Sequence, residues 1–197
     1  MKTVVFAYGR FNPPTIGHEK LIKKVQSVAG SDDWFIIPSF KVERGQNPLP
    51  YDYKVDLMEE MFPFAKGHID KGGCCRDPFF AMSYLFSKQK WTDVKVIAGQ
   101  DRLSQYQRGF AHIDDTPKIR GAQNGRTDGP TPFAFNSIEV VSAGERDPDS
   151  DGVAGMSASK LRKLAVAGKT TEFMKGLPNT LSASYKVAVM NKVLENM

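Results

Sequence analysis

Near the start of the chain the residue best equipped for chemistry is His18, which closes the run Gly9-Arg10-Phe11-Asn12-Pro13-Pro14-Thr15-Ile16-Gly17-His18. Gly9 lets a backbone approach a ligand closely, Pro13 and Pro14 stiffen the segment, and Gly17 leaves room above whatever follows. Before it stands a β-branched and aromatic run, Thr3 to Tyr8; after it Ile22 and Val25 fall at helical spacing with Leu21 and Val28 beside them. The pattern predicts strand, tight loop, helix, with His18 in the first helical turn. Unpaired N–H groups and the positive end of the dipole make such a junction an anion site, above all for phosphate. A plain strand-to-helix turn with a solvated histidine has the same spacing.

A second constellation lies far along the chain, Gly155-Met156-Ser157-Ala158-Ser159-Lys160-Leu161-Arg162. Ser157 can cap a helix running through Leu161, Leu164 and Ala165 to Gly168, which gathers hydroxyls, N–H groups and two cations at one helix start. Lys160 and Arg162 stand two residues apart and cannot face the same way on a regular helix, so one binds while the other is solvated. A capped basic helix without a ligand would look similar.

The two stretches together resemble the signatures of the nucleotidylyltransferase superfamily. Thr15-Ile16-Gly17-His18 fits its first signature, Thr or His, any residue, Gly, His, and the lead-in Gly9 to Pro14 is similar to that of nicotinamide-mononucleotide and phosphopantetheine adenylyltransferases. Met156 to Lys160 resembles the closing signature, and also the Lys-Met-Ser-Lys-Ser loop of class I aminoacyl-tRNA synthetases. The resemblance runs from Thr3 to about Leu164. It implies a Rossmann-like α/β fold, an open parallel sheet of about five strands with helices on both faces.

The elements that must position these motifs follow from the pattern. Trp34 to Pro38 reads as a second, buried strand, so the first three elements form a parallel crossover unit. Ser39 to Pro50 is a polar loop and Tyr51 to Phe62 is helical in spacing. In the family this loop and helix help hold the acceptor; Asn47-Pro48-Leu49-Pro50 resembles that stretch but lacks a Lys just before the Pro-Leu pair, so Lys41, Arg44 or Lys54 would supply the charge. Asp77 and Pro78 open another helix. Asp93 to Ala98 is a central strand ending in Gly99-Gln100-Asp101, which resembles the family's Gly, any residue, Asp at a strand's carboxyl edge; Asp101 either meets a ribose or substrate there or caps the next helix.

Residues 107–136, with Gly121, Gly125, Gly129, Pro130 and Pro132, read as a long irregular loop. Ser137 to Val141 is a further strand. Asp147, Asp149 and Asp151 imitate half of a calcium loop, but its twelfth position is Ala158 where calcium needs a Glu. Residues 1–181 are expected to form the catalytic domain and 182–197 a helix packed on it or on a second copy in a homo-oligomer.

Composition sets the outer bounds. The chain has 197 residues, 41% hydrophobic and 25% charged, with a formal net charge of +5. Those are the proportions of a globular α/β domain able to bury a full core. The basic balance suits a protein that meets phosphates; no dense Lys/Arg block with aromatics singles out nucleic acid. No apolar run would span a bilayer and no signal-peptide pattern precedes the first strand, so a cytoplasmic location without membrane attachment is expected. Cys74 and Cys75 are adjacent, too close for a bridge across a loop and without a second pair for zinc, and are read as two reduced thiols.

The chemistry implied by the resemblance is transfer of a nucleotidyl group from an NTP, ATP before CTP, to a small phosphate-bearing acceptor with release of pyrophosphate. His18, Lys160 and Arg162 would be catalytic. Gly9, Arg10, Phe11, Thr15, Gly99, Asp101, Ser157 and Ser159 would join His18 and Arg162 around the nucleotide, and Mg²⁺ would bridge phosphates with few or no protein ligands. The alternative is a protein that kept the fold and binds nucleotide or nucleic acid without turnover.

Overall fold

Successive residues of a β-strand face opposite ways, and the core is divided accordingly. In the computed structural model, which describes residues 2–111, 133–144 and 155–197, strand β1 (Thr3–Gly9) sends Val5 and Ala7 to one face of the sheet and Val4 and Phe6 to the other, all four fully buried. Strands β2 (Asp33–Pro38), β3 (Asp93–Ala98) and β4 (Ser137–Ser142) complete a parallel sheet in the order β2-β1-β3-β4. Four strands are present among the described residues where about five were expected.

Helix α1 (Gly17–Ala29) lays Ile22, Val25 and Ala29 on the face carrying Val5. That core also holds α2 (Tyr51–Met61), α5 (Ala158–Val166), α6 (Thr170–Lys175) and α7 (Ala183–Leu194), through residues such as Leu57, Leu161, Phe173 and Val189, each fully buried. On the other face α3 (Pro78–Ser87) and α4 (Gln100–Ala111) pack Met82, Leu85, Tyr106 and Phe110 against Phe6 and Val96. Helices therefore cover both faces, as a parallel sheet requires. The end of α7 is stitched to the β2–α2 loop: the Gly45 N–H donates to the Asn196 carbonyl at 2.8 Å, the Asn196 side chain to the Pro48 carbonyl at 2.8 Å, and Arg44 Nε to the Met197 carbonyl at 3.3 Å.

Two expectations are corrected. Residues 107–111 are not loop but the end of α4, because Leu103, Tyr106 and Phe110 repeat at helical spacing and Phe110 tilts against Phe79. Cys74 and Cys75 are bonded to each other rather than reduced: their spacing excludes a bridge across a loop but not the small ring that neighbours close. The run Asp147, Asp149, Asp151 and the rest of the expected long loop, 112–132, lie outside the described residues. No helix among the described residues is long and apolar enough to cross a membrane.

Candidate functional site

The sheet order reverses between β1 and β3, and in open parallel sheets the crevice beyond the carboxyl ends at that point receives ligands. Here it opens as a cleft of about 1370 Å³. Gly9, Arg10 and Phe11 from the end of β1, Gly17 and His18 from α1, and Gly99 and Asp101 from the β3–α4 junction line it together. Ala158, at the start of α5, lines it as well, whereas Ser157, Ser159, Lys160 and Arg162 are not among its lining residues.

The loop after β1 is held from below at several points. Asn12, 1% exposed, brackets Leu49: its Nδ2 donates to the Leu49 carbonyl at 3.1 Å and its Oδ1 accepts the Leu49 N–H at 2.9 Å. Gly9 has no room for a side chain, since a Cβ would stand 2.8 Å from the Phe11 ring. That ring meets the His18 imidazole edge-on at 4.9 Å. Phe11 keeps φ at 46°, in the left-handed region that non-glycine residues seldom occupy. Among the described residues nothing accepts a hydrogen bond from the backbone N–H of Arg10, Phe11 or Gly17. The residues that carry these three amides line the cleft.

The hydrogen on the His18 ring is placed by its neighbour. The Thr15 backbone N–H, which can only donate, points at His18 Nδ1 from 2.9 Å, so Nδ1 accepts and Nε2 carries the proton of the neutral ring. The Thr15 hydroxyl, fully buried, donates to the Met156 carbonyl at 3.2 Å. Thr15 therefore sits beneath the cleft as the bolt between the two motifs rather than on its surface. Sequence spacing could not foresee that role, because the partners are 141 residues apart.

Arg162 completes the junction. Its Nη1 donates to the Asn12 carbonyl at 2.6 Å and its Nη2 to Ser159 Oγ at 3.1 Å, while Lys160 is exposed. Burial, and next the nearby Arg10 guanidinium, hold the Arg162 pKa below the usual arginine value. Neither guanidinium has a carboxylate partner among the described residues, so the pair leaves a local excess of positive charge. Ser157 caps α5, its Oγ accepting the Lys160 N–H at 3.0 Å.

The opposite wall is built differently. Tyr8, Phe79 and Tyr106 form an aromatic surface, with Gly109 close enough to Phe79 that a Cβ would stand 2.9 Å from the ring. Burial above all raises the pKa of Tyr8 and of Tyr106 to about 12, so both remain phenols at neutral pH. At the rim Arg76 faces Asp77 at 4.0 Å and Arg102 faces Asp101 at 3.6 Å, loose exposed pairs. Asp101 lies inside the first turn of α4 and lines the cleft. Arg76, Arg102 and the three aromatic residues were not singled out from sequence as site residues.

The three candidate acceptor cations diverge. Lys41 lines the cleft and pairs with Glu43 at 2.9 Å; Arg44 turns to the Met197 carbonyl; Lys54 is buried, its Nζ donating to the Arg10 and Ser39 carbonyls. Among the described residues no group of three His, Cys, Asp or Glu could hold a metal ion.

No family model matches the sequence, and no curated protein matches it. Solved structures do. The nicotinic acid mononucleotide adenylyltransferase of Plasmodium falciparum, complexed with NaAD, superposes with a TM-score of 0.55 at 11% identity over 99% of this chain and 96% of that one. The same enzyme complexed with APC gives 0.55 at 12% identity over 97% and 98%. The chain shares the fold of these adenylyltransferases. Thermotoga maritima TmcAL bound with alpha-thio ATP also resembles it, with a TM-score of 0.50 at 11% identity over 99% of this chain and 56% of that one. Identities this low speak for the fold alone.

Proposed function

We propose that the protein transfers an adenylyl group from ATP to the phosphate of a small acceptor and releases pyrophosphate. The observation that carries this reading is the Thr15 N–H bond to His18 Nδ1, which leaves an Nε2–H donor on a residue that lines a cleft edged by Arg10 and three unengaged backbone amides. Such an arrangement suits an oxyanion better than an abstractable proton. A phosphate monoester has its second pKa near ~6, so the acceptor is already a nucleophile at neutral pH and needs no base.

What the chain must supply is alignment and charge. His18 Nε2–H would meet the α-phosphate oxygen as negative charge grows there. The Gly9 to Phe11 backbone and Arg10 would hold the triphosphate, with Arg162, Lys160, Ser157 and Ser159 toward its outer phosphates. Mg²⁺ arriving with ATP would neutralise phosphate charge. The aromatic wall and Arg76, Arg102 and Lys41 would face the acceptor. A neighbour complexed with NaAD, a dinucleotide, and another bound with alpha-thio ATP support a mononucleotide acceptor and ATP as donor.

The test is pyrophosphate release from each NTP in turn with pyridine mononucleotides, phosphopantetheine and sugar phosphates as acceptors. Turnover with ATP and one acceptor is expected. Nucleotide-dependent thermal stabilisation without pyrophosphate from any pairing would sink the enzymatic reading and favour a binding protein.

A further inference from the structure

The buried ammonium of Lys54 has a use that a surface lysine would not. The residue is 1% exposed, has no carboxylate partner among the described residues, and spends its donors on two backbone carbonyls, Arg10 at 3.0 Å and Ser39. Those carbonyls belong to two different segments, the loop after β1 and the end of β2. A lone charge buried in this way is costly, so its bonds must hold something in place.

What they hold follows from peptide geometry. In a trans peptide the C=O and the next residue's N–H point in opposite directions from one plane. With the Arg10 carbonyl drawn down to Lys54 Nζ, the Phe11 N–H is turned the other way. That amide has no acceptor among the described residues, and Phe11 lines the cleft. The same pull bears on the φ of 46° at Phe11, a conformation that persists only when surroundings over-determine it.

We infer that Lys54 is a positioning residue for the phosphate loop: by pinning the Arg10 carbonyl beneath it, the ammonium aims the Phe11 N–H into the cleft as an anion donor. The inference rests on the proposed reaction only for what the anion is, a polyphosphate chain. It also assigns Lys54 a place under the donor nucleotide rather than beside the acceptor.

The test compares the wild type with Lys54→Met, which keeps the side chain's length and removes its charge, and with Lys54→Gln, which keeps a neutral donor and serves if the Met variant does not fold. Binding of inorganic triphosphate, steady-state kinetics with ATP, and amide hydrogen exchange are read on each. Triphosphate binding is expected to weaken on the order of tenfold in Lys54→Met, the loss of a bond made to a charged group, with KM for ATP rising more than kcat falls. The Ser39 and Leu49 amides, which bond Gly9 and Asn12 of the loop, exchange faster in the variant while those of β3 do not. Unchanged triphosphate affinity and unchanged exchange at Ser39 and Leu49 in a folded variant overturn the inference. Should the wild type release no pyrophosphate from ATP, the proposed reaction falls, and the exchange measurement still decides whether Lys54 braces the loop.

Discussion

The two walls of the cleft are made by opposite means. On the α1 side the loop after β1 is fixed from beneath by buried groups: Asn12 on Leu49, Thr15 on Met156, Lys54 on the Arg10 carbonyl. On the α4 side Arg76 and Arg102 stand exposed over an aromatic floor, in loose pairs with Asp77, which is half-buried and also caps α3, and with Asp101. Buried polar bonds are expensive to leave unmade, whereas exposed ion pairs contribute little to folding. The first wall is therefore suited to an invariant part of a substrate and the second to a part that can vary from one ligand to another.

The sharpest way to break this contrast is His18→Ala. Its kcat is expected to fall about 10²–10³-fold with modest loss of ATP affinity, the pattern of a contact made only in the transition state. Equal loss in kcat and binding, or unchanged turnover, would remove His18 from that role.

Next in size is the pH dependence of Lys54. Burial lowers its pKa from 10.5 to about 8, while the unfolded chain keeps the proton to the ordinary value. Between those two pH values the unfolded state binds more protons, so stability rises with pH across the window and the full penalty of the buried charge is present below it. Relative to Lys54→Met, the wild type should gain on the order of 3 kcal/mol between pH 7 and 10.5, read from urea unfolding at each pH. A gap that does not move with pH would mean that burial leaves the Lys54 pKa at its ordinary value.

Asn12→Ala strips both bonds from the Leu49 backbone and should cost about 1–3 kcal/mol in the same assay, with KM for ATP raised as the loop loosens. The smallest effect sharpens the other side of the comparison. Arg102→Ala at the exposed rim should change stability by less than ~0.5 kcal/mol and act on the acceptor's KM alone. A destabilisation as large as that of Asn12→Ala would erase the distinction between the walls.

How much of this could be read beforehand depends on range. Strands β1 to β4 and the capped helices announced themselves by β-branched and aromatic runs and by Asp77-Pro78 and Ser157, signals confined to a few residues. The continuation of α4 was obscured by a polar run broken by Gly109, although Leu103, Tyr106 and Phe110 already carried its period. The pairings that join the site have no local signature. Thr15 with Met156 and Arg162 with Asn12 come together only after the sheet is wound, and a residue type at one position says nothing of a carbonyl more than a hundred places away. Asn12 carries no role in the sequence beyond its place in the lead-in Gly9 to Pro14, yet burial makes it the clamp. The Cys74–Cys75 bond was missed because the spacing argument considered only bridges across loops.

The stitches between Asn196, Met197 and the β2–α2 loop bear on how the protein is handled at the bench. An affinity handle or partner domain fused after Met197 would emerge beside Gly45 and Pro48, on the loop whose Lys41 and Gln46 edge the cleft. Lys2, whose N–H meets Thr92 before the sheet begins, lies at the far edge. Capture for ligand assays belongs at that end, and a fluorophore placed at the other would register ligands arriving at the cleft.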